Sequence, residues 1–228
     1  MDRRTFLSIG GTGLMSALAA AMAGCRGRQY GHIVQEGQPD LVGSHSAGAE
    51  VYNPLIEEAM AKLLGRQEMT LVQEASFQGA EVLPAPRTVC FVGVENKSAE
   101  AIGDFKDQIY QHIDTQLVNS ERFDPVSRRF VEAALRETRA RPDELLLPQY
   151  RRAFAAVLER DGQPVDFLLY ATITSGTTRN NQSYQRDYLL TLELVNVETG
   201  DYDKESAQLR KGYHKSKVGA VKNYWPFK

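Results

Sequence analysis

The chain of 228 residues has little of what a disulfide-rich or a nucleic-acid-binding protein requires. It contains two cysteines, Cys25 and Cys90, and its formal net charge is −2. A charge so close to zero gives no indication of nucleic-acid binding. If Cys25 is modified, Cys90 has no partner for an intramolecular disulfide. Because Cys90 lies in an apolar run, we predict a small core residue there, with a reactive thiol as the alternative.

The motifs of common catalytic sites are also missing from the sequence. It contains no Gly-x-Ser-x-Gly elbow, no Ser-x-x-Lys, no His-Glu-x-x-His and no phosphate loop ending in Gly-Lys-Ser/Thr. His32 and His45 have no cysteine or carboxylate cluster beside them, which argues against a metal site. His112 and Asp114 lie two residues apart on a predicted helix, and therefore on different faces, so we expect His112 at the surface. We predict no catalytic, cofactor-binding or metal-binding residue, and a protein that is not an enzyme.

The first 24 residues have the character of an export signal and are left out of the fold prediction. Arg3 and Arg4 precede a moderately apolar stretch that is too rich in small residues for a good permanent transmembrane helix. Residues 2–7 resemble the twin-arginine export signal, which serves proteins that fold before export. The alternative is a general secretory signal in which the two arginines form the basic region.

Residues 22–25, Met-Ala-Gly-Cys, resemble a lipobox, in which the cysteine becomes the lipidated first residue of the mature chain. We therefore predict lipidation of Cys25; an unmodified cysteine after an ordinary cleavage site is the alternative. Several acyl chains would hold the protein firmly on a membrane, because each buried CH₂ contributes about 0.8 kcal/mol. Arg26 stands where aspartate would be the inner-membrane retention signal. The sequence therefore favours the outer membrane, with the inner membrane left open.

Behind this signal the sequence divides into three further segments. Residues 25–48 comprise the lipidated cysteine and a flexible, glycine-containing tether, whose 24 or so residues span roughly 25–30 Å as a coil. Residues 49–210 form one folded domain. Residues 211–228 form a tail of basic and aromatic residues that could touch anionic lipid, glycan or an acidic partner surface. A solvated tail that partly packs back on the sheet is the alternative.

The domain is organised around residues 89–94, Val-Cys-Phe-Val-Gly-Val, which predict a strand buried on both faces. An amphipathic helix follows, with one apolar stripe formed by Ile102, Phe105, Ile109, Ile113 and Leu117. Further predicted helices are 52–64, ending near Gly65; 127–137, with Phe130, Val131, Ala134 and Leu135 facing inward; and 148–159. Further predicted strands are an edge strand at 122–126, an interior strand at 165–174, an antiparallel strand at 184–197 with one buried and one partly exposed face, and a final strand at 202–209. This order predicts an α/β fold: a single domain with a central mixed β-sheet flanked by helices.

Four segments of this domain, taken in order, resemble the LpoB-type lipoprotein activators of penicillin-binding proteins. They are residues 91–98, residues 109–126, residues 165–170 and residues 192–200. The resemblance implies a fold similar to the TolB amino-terminal domain. It also implies an outer-membrane lipoprotein that faces the periplasm as a monomer and activates a bifunctional penicillin-binding protein, a peptidoglycan synthase. The family has no catalytic residues to carry over.

One departure from that family is the short tether, since members that act from the outer membrane use a long one. A second function class therefore stays open: a lipoprotein component of an envelope or secretion assembly. The assembly state separates the two hypotheses. An activator without its lipid should be a monomer, whereas an assembly component should form rings.

Overall fold

The computed structural model describes residues 47–78, 85–180 and 183–213. The predicted export signal, nearly all of the tether and the tail beyond residue 213 lie outside the described residues. Within the described ranges, no helix combines the length and the apolar character that crossing a membrane requires.

Five strands form one mixed sheet in the order β2-β1-β3-β4-β5. In chain order the elements are α1 (Ala49–Gln78), β1 (Arg87–Lys97), α2 (Phe105–Asn119), β2 (Phe123–Pro125), α3 (Arg128–Thr138), a 3-10 turn (Pro142–Leu146), α4 (Pro148–Arg160), β3 (Phe167–Asn180), β4 (Ser183–Asn196) and β5 (Tyr202–Tyr213). Strand β1 pairs in parallel with β2 and β3, whereas β3, β4 and β5 pair antiparallel. The predicted fold class, a mixed sheet flanked by helices, is confirmed.

Strand β1 lies between two hydrophobic clusters, because successive side chains of a strand point to opposite faces of the sheet. Val89 and Phe91 pack in the first cluster, which includes residues of α1 and α2. Cys90 and Val92 pack in the second, which includes residues of α3 and α4. The prediction of a strand buried on both faces is therefore confirmed. Cys90 is fully buried, and burial raises the pKa of its thiol, so it is the predicted core residue.

The prediction that β4 has one buried and one partly exposed face is also confirmed. One face is buried in the first cluster through Tyr188, Leu190, Leu192 and Leu194. On the other face Asp187, Leu189, Thr191 and Glu193 are only half-buried. The short strand β2 occupies the predicted position at the sheet edge.

Helix α1 is longer than predicted, and the predicted bounds of 52–64 are wrong at both ends. Gly65 lies inside the helix, where a single glycine costs about 1 kcal/mol relative to alanine. The guanidinium of Arg66, the residue that follows, forms an ion pair with Glu205 on β5, with 2.8 Å between Nε and Oε1. Contacts of this kind with the sheet hold the helix beyond the glycine.

Helix α3 differs from its prediction at Phe130, which is 40% exposed rather than facing inward. Val131 and Ala134 define the buried stripe, and Phe130 lies about 100° around the helix from Val131. Leu135 is half-buried. The predicted loop at 139–147 contains the 3-10 turn, and β5 ends at Tyr213, four residues beyond its predicted end.

Gly93 stands at an irregularity in β1. Its φ is 154°, a conformation that residues with a Cβ rarely adopt. The pairing of β1 with β3 shifts register between Phe91 and Gly93, so Val92 is the extra residue of a bulge. In a regular strand the odd-numbered residues of β1 would all lie on the same face as Val89 and Phe91. Because of the bulge, the even-numbered Val94 lies on that face instead.

We predict that Gly93→Ala lowers the free energy of unfolding by about 1–3 kcal/mol, because alanine is strained in this backbone conformation. Gly65→Ala is the matched control: no atom lies near its added methyl group, and alanine should stabilise the helix by about 0.5–1 kcal/mol. Denaturant unfolding of both variants measures the two effects. Equal and favourable effects would show that the bulge does not depend on glycine.

Candidate functional site

One face of the sheet is open over much of its area. Along β5 the even-numbered side chains from 204 to 210 are exposed, whereas most odd-numbered ones are buried or half-buried beneath α1. On the exposed side a groove of about 1130 Å³ lies between the sheet and the structure formed by α3, the 3-10 turn and the start of α2. We call the sheet surface that forms its floor the open face.

Strand pairing places the residues of the open face in three rows. Each row crosses β1, β3, β4 and β5. The rows are Gly93, Tyr170, Glu193 and Lys204; Glu95, Thr172, Thr191 and Ser206; and Lys97, Thr174, Leu189 and Gln208. The middle row consists mainly of small hydroxyl side chains. A floor of such short side chains leaves room above it for the larger side chains of a binding partner.

The wall of the groove is fixed by Arg128 at the start of α3. Its guanidinium carbon lies 4.5 Å from the ring centroid of Tyr110, within cation–π range. Its Nε donates to Glu132 at 2.8 Å, and its Nη2 lies 3.1 Å from a carboxylate oxygen of Asp107. Burial lowers the pKa of Arg128, but these two carboxylates outweigh burial and raise it overall. Leu146, 49% exposed, adds an apolar side chain to the same wall.

Charges of both signs line the floor, and several of them are paired. The ammonium nitrogen of Lys97 lies 2.9 Å from Glu95, and that of Lys204 lies 3.6 Å from Glu193. The pair of Lys97 and Glu95 is exposed and so adds little stability. The mixture of signs on the floor suits a protein surface of mixed polarity better than a strongly charged polymer.

The hydroxyl of Tyr170 is the buried polar group of the floor that lacks a partner. It is shielded from solvent and makes no hydrogen bond within the described part of the chain. Burial raises the pKa of Tyr170. Leaving a buried polar group unpaired costs about 1–3 kcal/mol, so this hydroxyl lowers the stability of the domain.

The structure tests none of the site residues predicted from the sequence. Cys25, Arg3 and Arg4 lie outside the described residues, so their predicted roles stay predictions. His112 is half-buried on α2. Among residues 47–78, 85–180 and 183–213, no group of three or more histidine, cysteine, aspartate or glutamate side chains is arranged to hold a metal ion.

The groove is not among the features predicted from the sequence, although the sequence contains two partial signals of it. The first is the mixed outer face of β4, which indicates an incompletely covered strand. The second is Gly93 within an apolar run, which indicates a bulge. Neither signal shows which residues of four different strands stand side by side.

A family model described as the peptidoglycan-synthase activator LpoB matches residues 53–202, from α1 to the first residue of β5. The chain belongs to the LpoB family. This confirms the family that the ordered segments of the sequence resemble. The open face of this LpoB-family domain lies largely within the matched residues.

Solved structures of similar proteins include two LpoB C-terminal domains. That of Salmonella enterica is 16% identical, with a TM-score of 0.45 over 69% of this chain and 97% of its own. That of Escherichia coli is 17% identical, with a TM-score of 0.43 over 68% and 97%. Lipoprotein GNA1162 of Neisseria meningitidis is 18% identical, with a TM-score of 0.41 over 60% and 91%. A search of curated protein sequences gave no match.

We predict that loss of the hydroxyl has opposite effects on the free energy of unfolding at two tyrosines of the groove. Tyr170→Phe should leave the free energy of unfolding unchanged or raise it by up to about 1–3 kcal/mol, because it removes an unpaired buried group. Tyr110→Phe is the matched control. Its hydroxyl donates to the carbonyl of Phe91 at 3.1 Å, so its loss should cost about 0.5–1.5 kcal/mol. Thermal and denaturant unfolding measure both, and equal losses would contradict the assignment of Tyr170.

Proposed function

We propose that this protein is a lipid-anchored envelope protein that binds a bifunctional penicillin-binding protein through the open face and activates its synthesis of peptidoglycan. The observation that carries the proposal is the family match over residues 53–202. Because the family is one of activators, the chain's contribution is a binding surface, and we assign it no catalytic residue.

The shape and composition of the groove support the open face as the contact surface. Protein interfaces are enriched in tyrosine and arginine at the positions that contribute most to affinity. Tyr170 and Arg128, both partly exposed, line this groove, whereas Tyr110 beside them is buried. The exposed Leu146 provides an apolar contact on its wall, and the hydroxyl row of the floor leaves space for side chains of the synthase.

The polarity of the groove favours a separate partner protein over a second copy of this chain. Permanent homodimer interfaces are strongly apolar and resemble a protein core cut in two. The floor of this groove carries threonine hydroxyls and charges of both signs. We therefore propose a monomer that associates reversibly with the synthase.

Activation by such a domain requires selective binding. A bound protein shifts a synthase toward its active conformation only if it binds that conformation more tightly than the inactive one. A tenfold rise in the active population, while that population is small, requires a difference of about 1.4 kcal/mol in binding free energy. Two or three well-placed contacts of the groove suffice for a difference of this size.

We further propose that Cys25 carries the lipid, that Arg3 and Arg4 serve as the export signal, and that the domain faces the periplasm from the outer membrane. The support is the sequence Met-Ala-Gly-Cys at 22–25 and arginine rather than aspartate at position 26. The tether then connects the membrane to the start of α1.

The groove is tested by placing an arginine on its floor. Thr172→Arg and Thr191→Arg should each weaken binding to the full-length synthase of the same cell at least tenfold, and lower the stimulated rate of glycan-chain synthesis accordingly. Both new side chains would occupy the space above the hydroxyl row. Binding is measured by surface plasmon resonance and activation by incorporation of labelled lipid-linked substrate.

Ala61→Arg provides the control for this experiment, because Ala61 is exposed on α1 and lies outside the groove. It should bind and activate as the unaltered chain does. Full activity of both threonine variants would move the contact to another surface. Failure of the unaltered chain to bind or stimulate the synthase would refute the activator function. Sedimentation of the unlipidated chain tests the proposed monomer.

The anchor is tested by Cys25→Ala, which should release the protein from the membrane fraction into the soluble periplasmic fraction. The other cysteine is the control: Cys90→Ala removes a buried thiol but leaves the anchor, so the protein should remain in the membrane fraction. Membrane attachment of Cys25→Ala at the level of the unaltered protein would contradict lipidation at this residue.

A further inference from the structure

A buried arginine lies behind the part of the groove wall that joins α3 to α4. Arg151, in the first turn of α4, is 5% exposed and does not itself line the groove. Its hydrogen-bond partners among the described residues are backbone carbonyls rather than carboxylates. A buried charge is costly unless polar groups around it compensate. The carbonyls that Arg151 contacts therefore decide what this charge does in the fold.

The guanidinium of Arg151 donates to two backbone carbonyls that belong to different parts of the domain. Its Nε donates to the carbonyl of Val197 at 2.9 Å, and its Nη1 donates to the carbonyl of Leu146 at 3.2 Å. Val197 follows directly on β4, whereas Leu146 is the last residue of the 3-10 turn. Hydrogen bonds from a charged donor are roughly twice as strong as neutral ones. One side chain thus joins the 3-10 turn to the sheet.

The carbonyl of Val197 has a fixed position relative to the floor of the groove. The backbone N–H of Val197 donates to the carbonyl of Asp166 at 2.9 Å, and the N–H of Asp166 donates to the carbonyl of Thr88 on β1 at 3.0 Å. The side chain of Val197 is buried in the second cluster. On the same face of the sheet, Glu193 borders the groove. The sheet therefore provides a firm base for the contact with Arg151.

The carbonyl of Leu146 belongs to the groove wall, to which the 49% exposed side chain of the same residue contributes. One buried side chain of the 3-10 turn, Leu145, packs in the second cluster. The hydrogen bond from the backbone N–H of Arg141 to Glu144 stays within the turn. Apolar packing is non-directional, whereas hydrogen bonds have a preferred geometry. The contact with Arg151 is therefore the one that orients the end of the turn against the sheet.

We propose that Arg151 is a positioning residue of the groove: its guanidinium holds the wall at residues 142–147 in the place in which the groove accepts the synthase. The proposal rests on the proposed function for the identity of the partner, but not for the effect on the wall. Arg128 fixes the other part of the wall, at the start of α3. Arg151 acts from behind the wall and does not need to touch the synthase.

Lysine is a poor substitute for arginine in this role. The guanidinium is planar and carries its N–H groups in fixed directions, so it reaches two separate carbonyls at once. The ammonium of lysine is a compact, strongly hydrated charge on a flexible stem. We therefore expect Arg151→Lys to keep the charge and lose one of the two hydrogen bonds, so that residues 142–147 leave their place more often.

Hydrogen exchange measures the state of the wall without a synthase. The mature chain from residue 25 with Cys25→Ser, in which lipidation plays no part, is compared with the same chain carrying Arg151→Lys. The N–H of Leu147 donates to the carbonyl of Glu144 at 2.9 Å, so it is protected while the turn is in place. We expect the amides of residues 142–151 to exchange about tenfold faster in the variant, because local opening exposes them. Amides of α1 and β3 should exchange as before.

Two control variants separate the role of Arg151 from general effects. Arg152→Lys makes the same substitution at the adjacent, exposed position of α4, and it should leave exchange and binding unchanged. Ile56→Val shortens a buried side chain of the first cluster. It should lower the stability of the whole domain without a local effect on residues 142–151.

Binding to the full-length synthase of the same cell tests whether the position of the wall matters to the partner. If the wall is in place in about a tenth of the variant molecules, the apparent affinity falls about tenfold. We expect such a fall for Arg151→Lys and none for Ile56→Val, measured by surface plasmon resonance at a temperature at which both variants are folded. In the complex, exchange at residues 142–151 of the lysine variant should return to the level of the unaltered chain, because the synthase binds the ordered wall.

Several outcomes would overturn the proposal. Unchanged exchange at residues 142–151, both in Arg151→Lys and in Arg151→Met, which lacks both hydrogen bonds, would show that Arg151 does not position the wall. A rise in exchange that is equal in all parts of the domain would show the same. A local rise with undiminished binding of the synthase would remove its role in binding. Failure of the unaltered chain to bind would refute the proposed function and that role together, whereas the exchange result would stand independently.

Discussion

Strand β1 is buried on both faces, and the rest of the domain depends on this double burial. Phe91 belongs to the cluster beneath α1 and α2, while Cys90 belongs to the cluster beneath α3 and α4. A fully buried aliphatic or aromatic side chain contributes about 1.5–3 kcal/mol. The strand thus joins two helical layers, and its parallel pairing with β2 and β3 holds them in one sheet.

The bulge at Gly93 connects this buried strand to the groove. Before the bulge, even-numbered residues of β1 face the second cluster; after it, the odd-numbered Glu95 and Lys97 face that side. A shift of one residue in a strand exchanges the two faces for every residue that follows. One glycine therefore allows the same strand to serve as core in its first half and as part of an exposed surface in its second half.

The sequence allowed the elements to be predicted more fully than the site. The apolar run at 89–94 and the alternation in β4 depend on local periodicity, which is visible in one chain. Gly65 predicts an end for α1 near this residue, whereas the ion pair from Arg66 to β5 that supports the longer helix is a tertiary contact and is not visible in the local sequence. The row of Glu95, Thr172 and Thr191 could not be predicted, since its members come from three strands whose register is set by packing.

The two ends of the described domain, Ala47 and Tyr213, are close enough for the chain to be reconnected in a different order. Ala47 and Tyr213 are joined through Glu100 and Arg186, so a few linking residues would bridge them without crossing the sheet. Domains with neighbouring termini tolerate circular permutation when new ends are opened in an exposed turn. The turn between β4 and β5, where Gly200 has a φ of 81°, offers such a place. The ends of a chain permuted in this way would lie at the opposite end of β4 from Tyr213, so an attachment made through its new N-terminus would leave the Tyr213 end of the sheet free.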